Sequence, residues 1–194
     1  MIYSLKGTVQ ELNLTSVVID VQGVGYYVGI SLQTSEKLQL GQPAFLNIQQ
    51  IIREDAHLLF GFNTILEKEM FNLLISVNGV GPVSAIIMLS SLSLEEIAAA
   101  ILSNNSALLQ KVKGIGTKTA ERIIVDLRDK VQKFKNSEEN ISAAVNNKVK
   151  EEALSALEVL GIAKKMSEKI ADRVLKQNPA LTVEDLVKQI LKNI

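Results

Sequence analysis

Residues 1–62 carry short β-branched and aromatic runs. Val17-Val18-Ile19-Asp20-Val21 and Tyr26-Tyr27-Val28-Gly29-Ile30 flank Gly23-Val24-Gly25. Runs of this kind punctuated by glycine predict strands joined by tight turns. A longer strand is predicted from Pro43 to Ile52, then a turn at Arg53-Glu54-Asp55-Ala56, then a returning strand over His57-Leu58-Leu59-Phe60-Gly61-Phe62. Together with the N-terminal strand these make five short strands, which points to a small closed barrel of the OB type. Gly7, Gly25 and Gly29 suit places where a tight barrel bends.

From Thr64 the apolar spacing becomes helical, with Leu66, Met70, Leu73, Leu74 and Val77 on one face. Thr64 with Glu67, and Ser93 with Glu96, have the spacing of capping boxes. Residues 63–133 are therefore expected to be helical throughout, in short pieces. Residues 134–146 are polar and rich in Asn and Ser, and read as a flexible linker. Three amphipathic helices follow, near 147–160 ending at Gly161, near 164–176 ending before Asn178-Pro179, and near 183–193 capped by Thr182. The whole is a multidomain α+β chain: a barrel (1–63), a central all-α domain (64–133), the linker (134–146) and a C-terminal three-helix, UBA-like module (147–194). That last module is too small to spare core for a catalytic pocket, so it reads as a docking module.

A repeat lies inside the central domain. Leu73-Leu74-Ile75-Ser76-Val77-Asn78-Gly79-Val80-Gly81-Pro82-Val83-Ser84-Ala85 aligns at an offset of 35 residues with Leu108-Leu109-Gln110-Lys111-Val112-Lys113-Gly114-Ile115-Gly116-Thr117-Lys118-Thr119-Ala120. Both copies run on to a leucine, Leu92 and Leu127. Each reads as an apolar helix, a Gly-x-Gly elbow with an aliphatic centre, and a second helix with a small residue in its first buried turn. Glycine permits positive φ and close approach of the backbone to another surface. The second helix starts just after the elbow, so its unpaired N–H groups and the positive end of its dipole face outward. Pro82 loses nothing at a first helical position, where the N–H has no partner. These are the parts of a phosphate clamp: Asn78, Gly79, Val80 and Gly81 in the first copy, and Lys111, Lys113, Gly114, Ile115, Gly116, Thr117, Lys118, Thr119 and Arg122 in the second. Backbone and lysine contacts to phosphate read shape and not base sequence.

Charge sharpens this reading. The chain of 194 residues has a formal net charge of zero, but residues 111–135 hold 8 basic and 3 acidic side chains. A local basic stripe is the footprint of a phosphate-binding surface. Cysteine is absent, which excludes disulfides, thiolate metal sites and a cysteine nucleophile and fits a reducing cytoplasm. No apolar run reaches the roughly 18 residues of a membrane span, so a cytoplasmic protein without membrane contact is expected. Aromatic residues make up 4% of the chain and tryptophan is absent, which argues against stacking of unpaired bases. Tyr3, Tyr26, Tyr27, Phe45, Phe60 and Phe62 fall at mixed strand phases and are expected in the barrel core.

The order of barrel, paired hairpins, linker and small helical module resembles the RuvA family of Holliday-junction-binding subunits. The resemblance spans the chain and rests on Met1-Ile2 with Lys6-Gly7, on Gly23-Val24-Gly25-Tyr26, on residues 53–62, on Asn78-Gly79-Val80-Gly81-Pro82 and on Gly114-Ile115-Gly116-Thr117-Lys118-Thr119-Ala120-Glu121-Arg122. It implies tandem helix-hairpin-helix motifs that hold the arms of four-way junction DNA. It also implies a homotetramer built on the barrel, one or two of which hold the junction. An acidic pin at the tetramer centre would be Glu54 and Asp55. The C-terminal module would dock the hexameric RuvB ATPase for branch migration in recombination and repair, with the RuvC resolvase as a further partner. The chain departs from the family at Val83 and Thr117, where lysine is frequent.

An enzyme is the alternative. Helix-hairpin-helix motifs also occur in glycosylases and nucleases, for which Asp126 and Lys118 would be nominees. Asp126 is expected to pair instead with Lys130, four residues on. The chain lacks a Gly-x-x-x-x-Gly-Lys-Ser/Thr loop for ATP and a carboxylate cluster for metal-assisted chemistry. His57, the one histidine, is expected as a packed or rim residue. No catalytic residue, metal or cofactor is expected.

Overall fold

In the computed structural model, β1 (Ser4–Leu12), β2 (Ser16–Val21), β3 (Val24–Ile30), β4 (Pro43–Ile52) and β5 (His57–Phe62) hydrogen-bond in the order β1-β2-β3-β5-β4 and close into a barrel. All neighbours are antiparallel except β3 and β5, and β1 closes the ring by pairing with β4. Closure leaves no open edge. The description covers residues 1–194 apart from 161, 163, 179, 180 and 194, and excludes the side chains at 135–148, 151, 159, 164–166, 176 and 177.

Alternation puts Leu5 and Val9, Val17 and Ile19, Val28 and Ile30, and Leu46 and Ile48 inside the barrel. Gln22 and Gly23 both take positive φ in the two-residue turn between β2 and β3, which suits the twist of a hairpin. Gly7 is required by close approach: a Cβ there would meet the Asp20 carbonyl oxygen at 2.1 Å. The aromatic residues divide. Phe60 and Phe62 are buried and Tyr26 packs half-buried against the barrel core, whereas Tyr3, Tyr27 and Phe45 are 61%, 69% and 52% exposed, so the expectation that all six lie in the core is corrected for these three. Phe45 pairs with Lys6 and Tyr27 with Val18, at positions whose strand neighbours Leu46 and Val28 take the inward phase.

The helical segment comprises α2 (Ile65–Ile75), α3 (Pro82–Ser91), α4 (Leu94–Leu102) and α5 (Ser106–Gln110), then the start of α6 (Thr117–Val159); a short α1 (Leu32–Ser35) precedes β4. Residues Met1–Lys133 form one compact unit, so the change from strand to helix near residue 63 is no break in packing. Phe71 of α2 lies 5.2 Å from Phe60 and 4.9 Å from Phe62, ring centre to ring centre. Glu67 adds a polar joint. Its carboxylate, 5% exposed, accepts from Ser31 Oγ, from Thr34 Oγ1 at 2.7 Å and from the Asn63 N–H at 3.3 Å. A buried carboxylate is costly unless hydrogen-bonded, and three donors plus the start of α2 meet that need. The expected capping box at Thr64 is therefore half formed. Thr64 accepts from the Glu67 N–H, but the carboxylate turns to the barrel. At Ser93 and Glu96 the box is complete.

The second unit is Phe134–Ile194. Its core joins Ala153 and Leu157 of α6 to Ala171, Val174 and Leu175 of α7 (Lys164–Gln177) and to Leu186 and Ile190 of α8 (Val183–Lys192). Thr182 caps α8, accepting from the Asp185 N–H at 3.2 Å. Lys150 reaches Asp172 at 2.7 Å and Glu168 at 3.3 Å, and bonding to Asp172 raises its pKa. Residues 134–146, read as a linker between helices, fall within α6. Residues 117–159 contain neither glycine nor proline, so nothing in the backbone stops the helix. The expected stops at Gly161 and Pro179 lie outside the described residues.

Candidate nucleic-acid interface

Matching hydrogen bonds build both elbows. In the first, the Val77 N–H donates to the Leu74 carbonyl at 3.1 Å, Val80 to Val77 at 3.0 Å and Ala85 to Gly81 at 3.0 Å. In the second, Val112 donates to Leu109 at 3.2 Å, Ile115 to Val112 at 3.1 Å and Ala120 to Gly116 at 2.9 Å, each 35 residues on. Gly79 and Gly114 have φ of +94° and +92°, so each turn needs glycine at the same place. Val80 and Ile115 are buried and anchor the elbows, and Ala85 and Ala120 are fully buried at the first turn of the following helix.

The repeats also interlock. The nearest non-neighbouring atom to a Cβ placed on Gly79 would be Thr119 Oγ1 at 3.9 Å, and on Gly114 it would be Ser84 Oγ at 3.7 Å. Ser84 and Thr119 are themselves 35 residues apart, so the two contacts are related by an approximate twofold exchange of the copies. The elbows thus lie side by side. A Cβ on Gly81 or Gly116 would face open space, and Asn78, Gly79, Gly81, Gly114 and Gly116 are exposed. The starts of α3 and α6 therefore present free N–H groups on an accessible surface. A phosphate placed there meets no side chain from either elbow glycine.

Lys111, Lys113, Lys118 and Arg122 are all exposed around the second elbow, and none is in an ion pair among the described residues. Thr119 is half-buried at the interlock, and Thr117 is exposed, its Oγ1 donating to Gln110 Oε1 at 3.1 Å. Arg122 Nη1 donates to the Asn78 carbonyl at 3.2 Å. Sequence reasoning missed Ser84 and Gln110. The offset of 35 pointed to Ser84 through Thr119, but Gln110 had no signal because Ile75 matches it in the first copy. Asp126 and Lys130, expected as a pair, form no ion pair among the described residues. His57 is exposed at the start of β5.

Family models match along the chain: the RuvA N terminal domain over residues 1–61, a SAM-like helix-hairpin-helix tandem over 71–129 and the RuvA C-terminal domain over 148–194. A protein of Christiangramia forsetii described as "Holliday junction branch migration complex subunit RuvA" is 45% identical over the full length of both chains. The chain belongs to the RuvA family. Relatives of the same description from Flavobacterium psychrophilum, 45% identical over the whole of both chains, and Porphyromonas gingivalis, 44% identical over 99% of each, are similar to it as well.

In this RuvA-family chain Glu54 and Asp55 occupy the tip of the hairpin between β4 and β5. The Arg53 N–H donates to the Ala56 carbonyl at 2.8 Å, and both carboxylates are exposed. They stand in the barrel, apart in sequence from the elbows. Among the described residues no group of three or more His, Asp or Glu side chains is placed to hold a metal ion. No single helix among them is long and apolar enough to cross a membrane.

Proposed function

We propose that this chain is the non-catalytic DNA-binding subunit of a branch-migration complex and that it holds four-way junctions without regard to base sequence. The paired, exposed elbows carry the proposal: two helix starts side by side, one ringed by cations, match two phosphate strands of a duplex arm. Residues 78–81 hold one strand chiefly through amides. Lys111, Lys113, residues 114–119 and Lys118 in particular hold the other. Bonds of this kind position a duplex but do not read its bases.

Four copies of the chain, joined through their barrels, present one elbow pair to each junction arm. The exposed rings of Tyr3, Tyr27 and Phe45 support a barrel interface, since apolar rings at a subunit contact gain from leaving water. One or two such tetramers enclose the DNA. Glu54 and Asp55 of each copy then gather near the fourfold axis and repel phosphates at the crossover, which keeps the strands apart. The C-terminal module docks the RuvB hexameric ATPase, and the open junction is available to the RuvC resolvase.

A competition experiment tests this. At equal nucleotide concentration, four-way DNA should displace a labelled junction far better than linear duplex or single strands. The reverse order, or cut or abasic product, overturns the proposal. Glu54→Gln with Asp55→Asn should leave junction affinity equal or tighter and change the rate of motor-driven migration. Weaker junction binding by that variant would remove the pin from the account.

A further inference from the structure

The two elbows share a backbone and differ in what holds them. At each position where the second carries a cation the first is neutral: Lys111 matches Ser76, Lys113 matches Asn78, Lys118 matches Val83, and Arg122 matches Ile87. The second hairpin is clipped by its own side chains, Thr117 to Gln110. The matching residues of the first, Pro82 and Ile75, cannot form such a bond. The first hairpin is reached instead from the other copy, where Arg122 Nη1 meets the carbonyl of Asn78, the residue before the positive-φ Gly79. The mirror contact cannot form, because Ile87 has no donor.

We propose that Arg122 is a positioning residue that ties the uncharged first elbow to the cationic second and fixes the spacing of their amide groups, instead of serving as a phosphate ligand. The inference rests on the junction-binding reading above. A guanidinium bonded to a carbonyl is charge-assisted and geometrically demanding, which suits a brace. The carbonyl it holds shares a peptide unit with the Gly79 N–H, so the bond also polarises that amide as a donor. A site works only when the groups that touch the ligand are themselves held in place. Among the described residues the first elbow has no cation of its own to make up for poor placement.

The test uses the full chain on four-way DNA across a salt series. Arg122→Ala and Arg122→Lys should each weaken binding about tenfold, the scale of one lost charge-assisted hydrogen bond, with the slope of log affinity against log salt unchanged. Lysine keeps the charge but neither the planar fork nor the reach. A Gly79→Val/Gly81→Val chain should lose nothing more on adding Arg122→Ala. In the free protein, Arg122→Ala should lower the backbone order parameter at Gly79, the amide next to the braced carbonyl, and leave that at Gly114 as it was. A slope reduced by about 0.9, the signature of one lost phosphate contact, overturns the brace. So do full rescue by lysine, additive losses, or an unchanged order parameter at Gly79. Lys113→Ala with Lys118→Ala separates the two ideas. If that variant keeps both affinity and slope, junction binding through the second elbow fails, whereas the order parameter at Gly79 still judges the brace alone.

Discussion

The two hairpins have one backbone and two surfaces. Their turns have φ within a few degrees of each other, +94° at Gly79 and +92° at Gly114, and their anchors Val80 and Ile115 are buried to a similar degree, 6% and 5% exposed. Yet Lys111, Lys113 and Lys118 surround one elbow and Ser76, Asn78 and Val83 the other. The inward positions of the repeat are held to a pattern because they decide the fold, and the outward positions are free to diverge because they touch only solvent or ligand. If the three lysines each neutralise one phosphate, they contribute a salt slope of about −2.7, or about fortyfold in affinity for a fourfold rise in salt. The first elbow contributes amides, whose bonds release no counterions.

That difference can be broken in order of expected effect. Gly114→Val with Gly116→Val should abolish measurable junction binding, at least about a hundredfold, because valine at φ +92° is strained and its side chain occupies the approach of the phosphate. Gly79→Val with Gly81→Val should cost less, on the order of tenfold for the loss of neutral backbone donors. Anisotropy titrations with far-ultraviolet dichroism as a fold control measure both, and equal losses would mean that the cations matter little. Next, Lys113→Ala with Lys118→Ala should lower the slope by about 1.8, and Val83→Lys should raise it by about 0.9, since Val83 is 67% exposed at the position matching Lys118. A slope unchanged from that of the parent chain in either variant would sink the assignment of those positions to phosphate. The smallest contrast should be structural. In urea melts Ile115→Ala should destabilise the fold by about 2–5 kcal/mol and Val80→Ala by about 1 kcal/mol less, the difference being the one methylene by which two equally buried side chains differ. A large disparity would show that the two hairpins are not equivalent in packing.

Legibility followed the same division. Strands β2 to β5 and the paired elbows could be read from the chain because period, glycine spacing and β-branching act locally. The aromatic residues could not be placed, since Tyr27 and Val28 are adjacent and only the closing of the barrel decides which faces in. Glu67 looked like a capping residue, and only the proximity of Ser31 and Thr34 turned its carboxylate to the barrel. The polar stretch 134–146 looked like a linker because it lacks an apolar stripe. The lack of a stripe removes a partner for packing but does not break hydrogen bonding along a helix, and α6 runs through it.

The amino-acid order alone determined the barrel, the two glycine turns, the basic stripe and the kinship with RuvA, all of which follow from spacing within a few tens of residues. Tertiary structure decided that the two turns stand side by side, that Ser84 and Thr119 cross between them, and that Arg122 faces a carbonyl 44 residues away along the chain. The reason is physical: a turn is set by the dihedral preferences of its own residues, whereas a contact between turns depends on how the intervening helices pack, and that packing is a sum over the whole core.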